Sequence, residues 1–244
     1  AYGILACVAI FAMNCPFKMK VKEFALIQKE NFKTLLGLAG KAVVEPMILQ
    51  SGFLMYSKVV SMLGPVQLAA HRVAIAIESL AFMPGAAIGG ACAAITGQAL
   101  GEKTEHGARL GFSEAARMAV YFMCLIGIVF ALIPTVFTRL FTPGDEEVVL
   151  LAALAITISV LEQPLFALAI VLGGLFKGAG DIKTVIWISM VGAWFVRVPV
   201  SYLLAISLGL GLAGIWVTMI VDWSVRCALY FWMYKRGGWA KVSL

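Results

Sequence analysis

The sequence contains few charged residues. They make up 13% of its 244 residues, whereas 62% are hydrophobic. In soluble domains about a quarter of the residues are charged. The scarcity of charge therefore excludes an ordinary water-soluble domain and predicts a membrane protein.

Paired cysteines and clustered histidines are also missing. The only histidines are His71 and His106, and no HExxH motif occurs. Disulfide frameworks, zinc sites and hydrolytic centres need such clusters, so we expect no enzyme activity, no metal centre and no other cofactor. The cysteines stand singly in apolar stretches, at Cys7, Cys15, Cys92, Cys124 and Cys227.

Long runs without charge are what the sequence has in abundance. A helix needs about 20 apolar residues to cross a bilayer, and glycine and proline turns separate runs of that length here. We predict an all-α membrane protein with a six-helix lobe over residues 36–234. Residues 1–15 are predicted to end a preceding helix, 16–35 to form an amphipathic cytoplasmic linker, and 235–244 to form a cytoplasmic tail. The predicted spans are 36–62, 68–98, 114–134, 148–176, 185–206 and 212–234.

Lysine and arginine are concentrated on one side of these spans. Twelve of the 19 lie in the loops predicted at 16–35, 99–113 and 177–184 and in the C-terminal tail. Basic loops remain in the cytoplasm, which predicts a multi-pass protein of the cell (plasma or inner) membrane. This topology accounts for the net charge of +6 without a nucleic-acid partner.

Glu45 is the first acidic residue predicted within a span. Pro46 follows it and removes a backbone hydrogen bond, which frees carbonyl groups that can bind a cation. Broken helices in membranes often line ion sites. Glu45 is therefore a candidate for binding the coupling ion or proton, and the alternative is a structural pair with Lys41 one turn earlier.

Glu162, Gln163 and Pro164 repeat this arrangement in the fourth predicted span. We expect Glu162 and Gln163 to take part in ion or proton coupling. The alternative is a neutral buried carboxyl held by hydrogen bonds.

Other polar groups in the predicted spans are candidates to line a substrate cavity: Glu78, Arg197, Gln50 and Tyr56. Arg197 needs a carboxylate partner, for which Glu78 and Glu162 are the hypotheses. Asp222 and Arg226 are four residues apart on one helix and are predicted to form a structural pair. Gly85 and Gly89 form a GxxxG pattern that favours close helix packing.

Several stretches together resemble the MATE (multidrug and toxic compound extrusion) family, within a wider superfamily of flippases. The first runs from Leu68-Ala-Ala-His71 through Met83-Pro84 to Gly97-Gln-Ala-Leu-Gly101. The others are Leu140-Phe-Thr-Pro-Gly-Asp145, Gly174-Leu-Phe-Lys-Gly-Ala-Gly-Asp181 and Gly209-Leu-Gly-Leu-Ala-Gly-Ile-Trp216. They follow the order and spacing of the family's C-terminal half.

The resemblance implies one six-helix lobe of a twelve-helix transporter, so an N-terminal lobe of the same protein is an expected partner. It also implies export of small organic cations or drug-like compounds by alternating access, driven by proton or sodium entry. Residues 165–176, where sodium-coupled members tend to have a further acid, contain none, which favours protons. The alternatives are a lipid-linked oligosaccharide flippase or polysaccharide exporter, and a natural half-size protein that works only after pairing with another lobe.

Overall fold

We describe residues 29–241 of a computed structural model, with side chains for residues 43–240. The chain divides into two compact units, residues 1–43 and 44–244, and the account below concerns the second. The predicted helix end at 1–15 and most of the predicted linker at 16–35 lie outside the described residues.

Eight helices follow one another within residues 29–241. They are α1 (Lys29–Ser61), α2 (Pro65–Gly101), α3 (Glu105–Leu132), α4 (Pro134–Phe141), α5 (Glu146–Ser159), α6 (Gln163–Gly178), α7 (Ile182–Ser207) and α8 (Gly211–Arg236). A short 3-10 turn, Gly238–Lys241, comes last. The all-helical membrane fold predicted from composition is confirmed.

Four of the described helices, α2, α3, α7 and α8, are long and apolar enough to cross a membrane, and the pair α5 and α6 makes up to five. That pair covers the fourth predicted span, 148–176, which is broken just before Pro164. The two helices bend by 57° at a short break. Pro164 in the first turn of α6 cannot donate a backbone hydrogen bond, and 3-10-type bonds tighten the chain just before it.

The predicted loop at 99–113 is also mostly helical. Only residues 102–104 separate α2 from α3. Arg109 pairs with Glu105 and Arg117 with Glu114, each within one turn of α3. These i, i+3 and i, i+4 pairs support a helix well beyond the apolar span. The prediction relied on charge alone and therefore started this helix too late.

Close approaches between helices set their directions. Gly89 meets Ile170 of α6, and Gly85 meets Phe166, so α2 and α6 run parallel. The added Cβ of an alanine at Gly89 would lie 3.0 Å from the Ile170 carbonyl oxygen. The GxxxG pattern therefore does pack closely against a neighbouring helix, as predicted.

Helices α7 and α8 run antiparallel, with Gly192 opposite Asp222 and Gly214 opposite Leu204. Helix α8 is parallel to α6, because Trp223 packs on Phe166 and Tyr230 on Phe176. The two helices therefore end at the same side of the lobe, at Gly178 and Arg236. Helix α2, which is parallel to α6, also ends there, at Gly101. We call this side the basic end, and the side with residues 62–64 and 208–210 the opposite end.

Helix α7 contains two π-helical stretches, Val191–Arg197 and Tyr202–Ser207. They flank Pro199, which lacks a backbone N–H and interrupts the regular hydrogen bonds. Wider π turns shift the phase of the side chains and are common at functional sites. Here they turn Arg197 toward α8.

Candidate functional site

Asp222 is fully buried and contacts two arginines. The Nη2 of Arg197 lies 2.6 Å from its Oδ2, and the Nε of Arg226 donates to its Oδ1 over 2.7 Å. The pairing of Asp222 with Arg226 was predicted, but the hypotheses for Arg197 were wrong, because its bonded partner is Asp222 rather than Glu78 or Glu162. The phase shift in α7 brings its guanidinium across to α8.

We call Arg197, Asp222 and Arg226 the arginine–aspartate triad. A glycine and a tryptophan surround it. Gly192 leaves the space that the triad fills, since a Cβ there would lie under 3 Å from both Asp222 and Arg226. Both guanidinium groups also lie over the Trp223 ring, at 5.8 and 5.1 Å from its centroid. The triad is thus saturated with charge-assisted and cation–π contacts.

The carboxyl groups of Glu78 and Glu162 lie close to each other in the lobe interior, and both side chains are 0% exposed. Glu78 comes from α2, two turns before Pro84, and Glu162 from the break between α5 and α6. None of their four oxygens accepts a hydrogen bond from another described residue. The two carboxyls can hydrogen-bond to each other only when one of them carries a proton.

We call Glu78 and Glu162 the carboxyl pair. The charge of Arg197 reaches both of its members, although its hydrogen bonds go to Asp222. Gln163, the next residue, is fully buried, packs near Gly127 of α3, and has neither atom of its amide bonded to a described residue. The structure thus brings the predicted coupling candidate Glu162 close to the predicted cavity candidate Glu78, as the sequence alone could not show.

Glu45 lies apart from the carboxyl pair. Its Oε2 is 3.0 Å from the Nζ of Lys177 at the end of α6, and its side chain is 15% exposed. The described structure thus gives Glu45 a partner on another helix, whereas the side chain of Lys41, the alternative partner, lies outside the described residues. A cavity of about 210 Å³ adjoins this ion pair. It is lined in part by Glu45, Gly173, Lys177, Ser189, Arg226 and Tyr230.

The other two cavity candidates occupy different surroundings. Tyr56 is buried in the lobe core, where its hydroxyl donates to the Ile215 carbonyl oxygen over 3.3 Å and its ring packs on His71. Gln50 is exposed on α1.

The glycine motif at residues 178–181 ends one helix and begins the next. Gly180 adopts a φ of 79°, which favours glycine. Asp181 then caps α7 by accepting hydrogen bonds from the Thr184 N–H and hydroxyl, at 3.2 and 2.7 Å. In this lobe the motif forms the turn that joins α6 to α7.

Comparison with known proteins agrees with this architecture. The profile of the MatE family matches residues 42–203, two thirds of the chain. The chain belongs to the MatE family. Its match is to the C-terminal half of a MATE transporter, as the sequence motifs predicted.

Its relatives include the probable multidrug resistance protein NorM of Thermotoga maritima, with 27% identity over 87% of this chain and 46% of that protein. The probable multidrug resistance protein NorM of Brucella suis is 32% identical over 74% of this chain and 40% of that protein. This chain spans about half the length of the relatives that it matches.

Among solved structures, the eukaryotic MATE transporter AtDTX14 superposes with a TM-score of 0.83 at 18% identity, over 98% of this chain and 53% of that one. The inward-facing conformation of a multidrug resistance MATE transporter gives a TM-score of 0.75 at 16% identity, over 89% of this chain and 50% of that one. These similarities show that the lobe has the MATE fold.

Proposed function

We propose that this chain is the C-terminal lobe of an antiporter that exports amphipathic organic cations in exchange for protons. An N-terminal lobe of the same protein completes it, and the substrate binds between the lobes. The names of the NorM relatives support multidrug export. The carboxyl pair is the observation that carries the choice of protons, because its two members can bond to each other only through a proton.

The charges around the carboxyl pair determine how each bound proton changes the net charge of the site. The arginine–aspartate triad contributes two positive charges and one negative charge, hence +1 when its members are ionised. With one proton, the carboxyl pair contributes −1, and pair and triad together are neutral. A second proton makes the cluster +1, and loss of both protons makes it −1.

This switch in net charge is a mechanism for exchange. Inside a low-dielectric lobe one charge acts strongly over several ångströms. A cationic substrate is favoured near the lobe when the pair has lost its protons and disfavoured when the pair is fully protonated. Protonation from one side of the membrane would then release a substrate bound from the other side.

We further propose that the basic end faces the cytoplasm. It carries Lys177, Lys183, Lys235 and Arg236, and basic loops remain on the cytoplasmic side of bacterial and eukaryotic membranes. The opposite end, with Glu146 and Glu147 at the start of α5, then faces outward. Protons would enter from that side.

Reconstitution tests the function. The complete protein, both lobes included, is placed in vesicles that contain ethidium, and a pH gradient is applied. We expect gradient-driven ethidium movement that is lost in Glu78→Gln and Glu162→Gln, because an amide cannot exchange a proton. Glu146→Gln is the matched control, since this exposed acid pairs with Arg139 at the surface. Movement that ignores the pH gradient, or that survives both interior substitutions, would contradict the proposal.

A further inference from the structure

A row of buried polar atoms without partners leads from the opposite end of the lobe to the carboxyl pair. Its members on α2 are Gln67, His71 and Glu78, spaced four and seven residues apart and therefore on one face of the helix. The Oε1 of Gln67, both ring nitrogens of His71 and both oxygens of Glu78 bond to no described residue. Trp216 of α8 adds an unpartnered Nε1 beside them.

His71 is the centre of this row. It is 3% exposed, and its ring lies between the rings of Tyr56 and Trp216, at centroid distances of 5.5 and 5.8 Å. Both neighbours meet it in T-shaped arrangements, and neither accepts a hydrogen bond from its nitrogens. Arg197, across from it on α7, is the charged group whose field reaches the imidazole. A buried imidazole with both nitrogens unbonded is costly unless it bonds to water.

The row begins where water has access. Gln67 lies in the first turn of α2, partly exposed, and its amide approaches Gly211 at the start of α8. From there the helix rises about 6 Å to His71 and about 10 Å more to Glu78. Two or three water molecules in file are long enough to span the distance from His71 to Glu78, and buried water typically bonds to two to four polar groups. The unpartnered atoms of the row supply those groups.

We infer that His71 is a proton relay between the opposite end of the lobe and the carboxyl pair, through a file of water that enters at Gln67. This inference rests on the proposed proton coupling and adds the route and a residue to it. Glu45, Lys177 and the cavity beside them belong to the other end of the lobe and are not on this route.

The transfer step uses the two nitrogens of one imidazole. A neutral ring accepts a proton on its bare nitrogen from a protonated outer water, which is left as neutral water, and the ring becomes a cation. It then releases the other nitrogen's proton to the inner water, which passes a proton to a carboxylate oxygen of the pair. The ring is neutral again, with its proton on the other nitrogen, and a ring flip restores the first state. Histidine is suited to this step because its ring can accept a proton on one nitrogen and release the proton of the other.

Two substitutions test the relay in the complete protein, reconstituted with a pH-sensitive dye inside the vesicles. In His71→Gln the side chain still bonds to water but cannot relay protons, and in His71→Phe it does neither. We expect ethidium export and proton flux to fall at least about tenfold in both variants, in the range of positioned acid–base groups. Ethidium affinity, measured by fluorescence in detergent, should stay within about twofold. His106→Gln is the control, since that histidine is exposed at the basic end.

The pH profile separates a relay from a structural role. In the wild type the export rate should vary with the pH at the opposite end, and His71→Gln should flatten that dependence. Added imidazole should restore flux severalfold in His71→Ala, which leaves a cavity of the right shape. Wild-type flux with an unchanged pH profile in His71→Gln would overturn the relay, as would a loss that follows weaker ethidium binding. If Glu162→Gln abolishes export while His71→Gln does not, the relay fails and the proposed function stands.

Discussion

Two groups of acidic side chains lie in the interior of this lobe, and they are stabilised in opposite ways. Asp222 is held by two arginines at 2.6 and 2.7 Å, whereas Glu78 and Glu162 lie close to each other and have no hydrogen-bonded partner among the described residues. All three acids are 0% exposed. Burial alone therefore does not mark an acid as functional. An acid that is already saturated by cations holds helices together, and one without cation partners in hydrogen-bond contact is available to exchange protons.

The largest effect on stability is expected from Asp222→Asn. The amide would leave two buried guanidinium groups without a counter-charge, and breaking a buried ion pair in this way costs about 3–5 kcal/mol. We expect little monodisperse protein in detergent and a much lower midpoint of thermal unfolding. Ser224→Ala is the control, because its hydroxyl donates only to the Ile220 carbonyl oxygen of its own helix. A normal midpoint for Asp222→Asn would mean that the triad does not hold α7 to α8.

Gly192→Ala should have the next largest effect. The new methyl group would lie under 3 Å from Asp222 and Arg226, and such overpacking costs about 1–3 kcal/mol. The unfolding midpoint should fall while the protein still assembles. Gly90→Ala serves as the comparison, since nothing lies within 4 Å of a Cβ at Gly90. Equal midpoints for the two variants would contradict the tight fit at the triad.

Glu162→Gln should change stability by less than about 1 kcal/mol, because the amide can bond to Glu78 without a shared proton and leaves no charge unpaired. The same variant should lose export driven by a pH gradient. The unfolding midpoint and ethidium movement, measured on one preparation, separate the two properties. A loss of stability as large as that of Asp222→Asn would remove the distinction between the carboxyl pair and the triad.

The smallest effect on stability is expected from Lys177→Gln. The ammonium group is about half exposed and pairs with Glu45 at the edge of the lobe, and pairs of this kind contribute about 0–1 kcal/mol. We expect the unfolding midpoint to move by no more than a few degrees. A shift comparable with that of Gly192→Ala would show that this ion pair fixes α1 to α6 more firmly than its exposure indicates.

Much of the fold could be predicted from local sequence. Apolar runs, turn residues and the placement of lysine and arginine predicted the helices and their order, since these depend on nearby residues alone. Pro164 marked the place of the break between α5 and α6, but the size of the bend could not be predicted, because an apolar run reads the same whether it is straight or bent. The early start of α3 was missed because its first turns are rich in charge and were therefore predicted as a loop. The charged residues there lie one turn apart and form pairs that support a helix.

The residues of the candidate site could be predicted from the sequence, but the contacts between them could not. Glu78, Glu162 and Arg197 were identified as polar residues within apolar spans, yet Arg197 was assigned to the wrong acids. His71 showed no sign of its surroundings in the sequence except its four- and seven-residue spacing from Gln67 and Glu78 on one helix face. A single sequence contains no information on which helix faces touch.

The sequence by itself determined that this chain is a bundle of membrane helices with a few costly acids inside, because composition and spacing fix what must avoid water. Only the tertiary structure decided which acid is neutralised and which is left to share a proton. That choice depends on the π-helical turns of α7 and on the space at Gly192. They bring Arg197 to Asp222, and so the carboxyl pair has no arginine in hydrogen-bond contact.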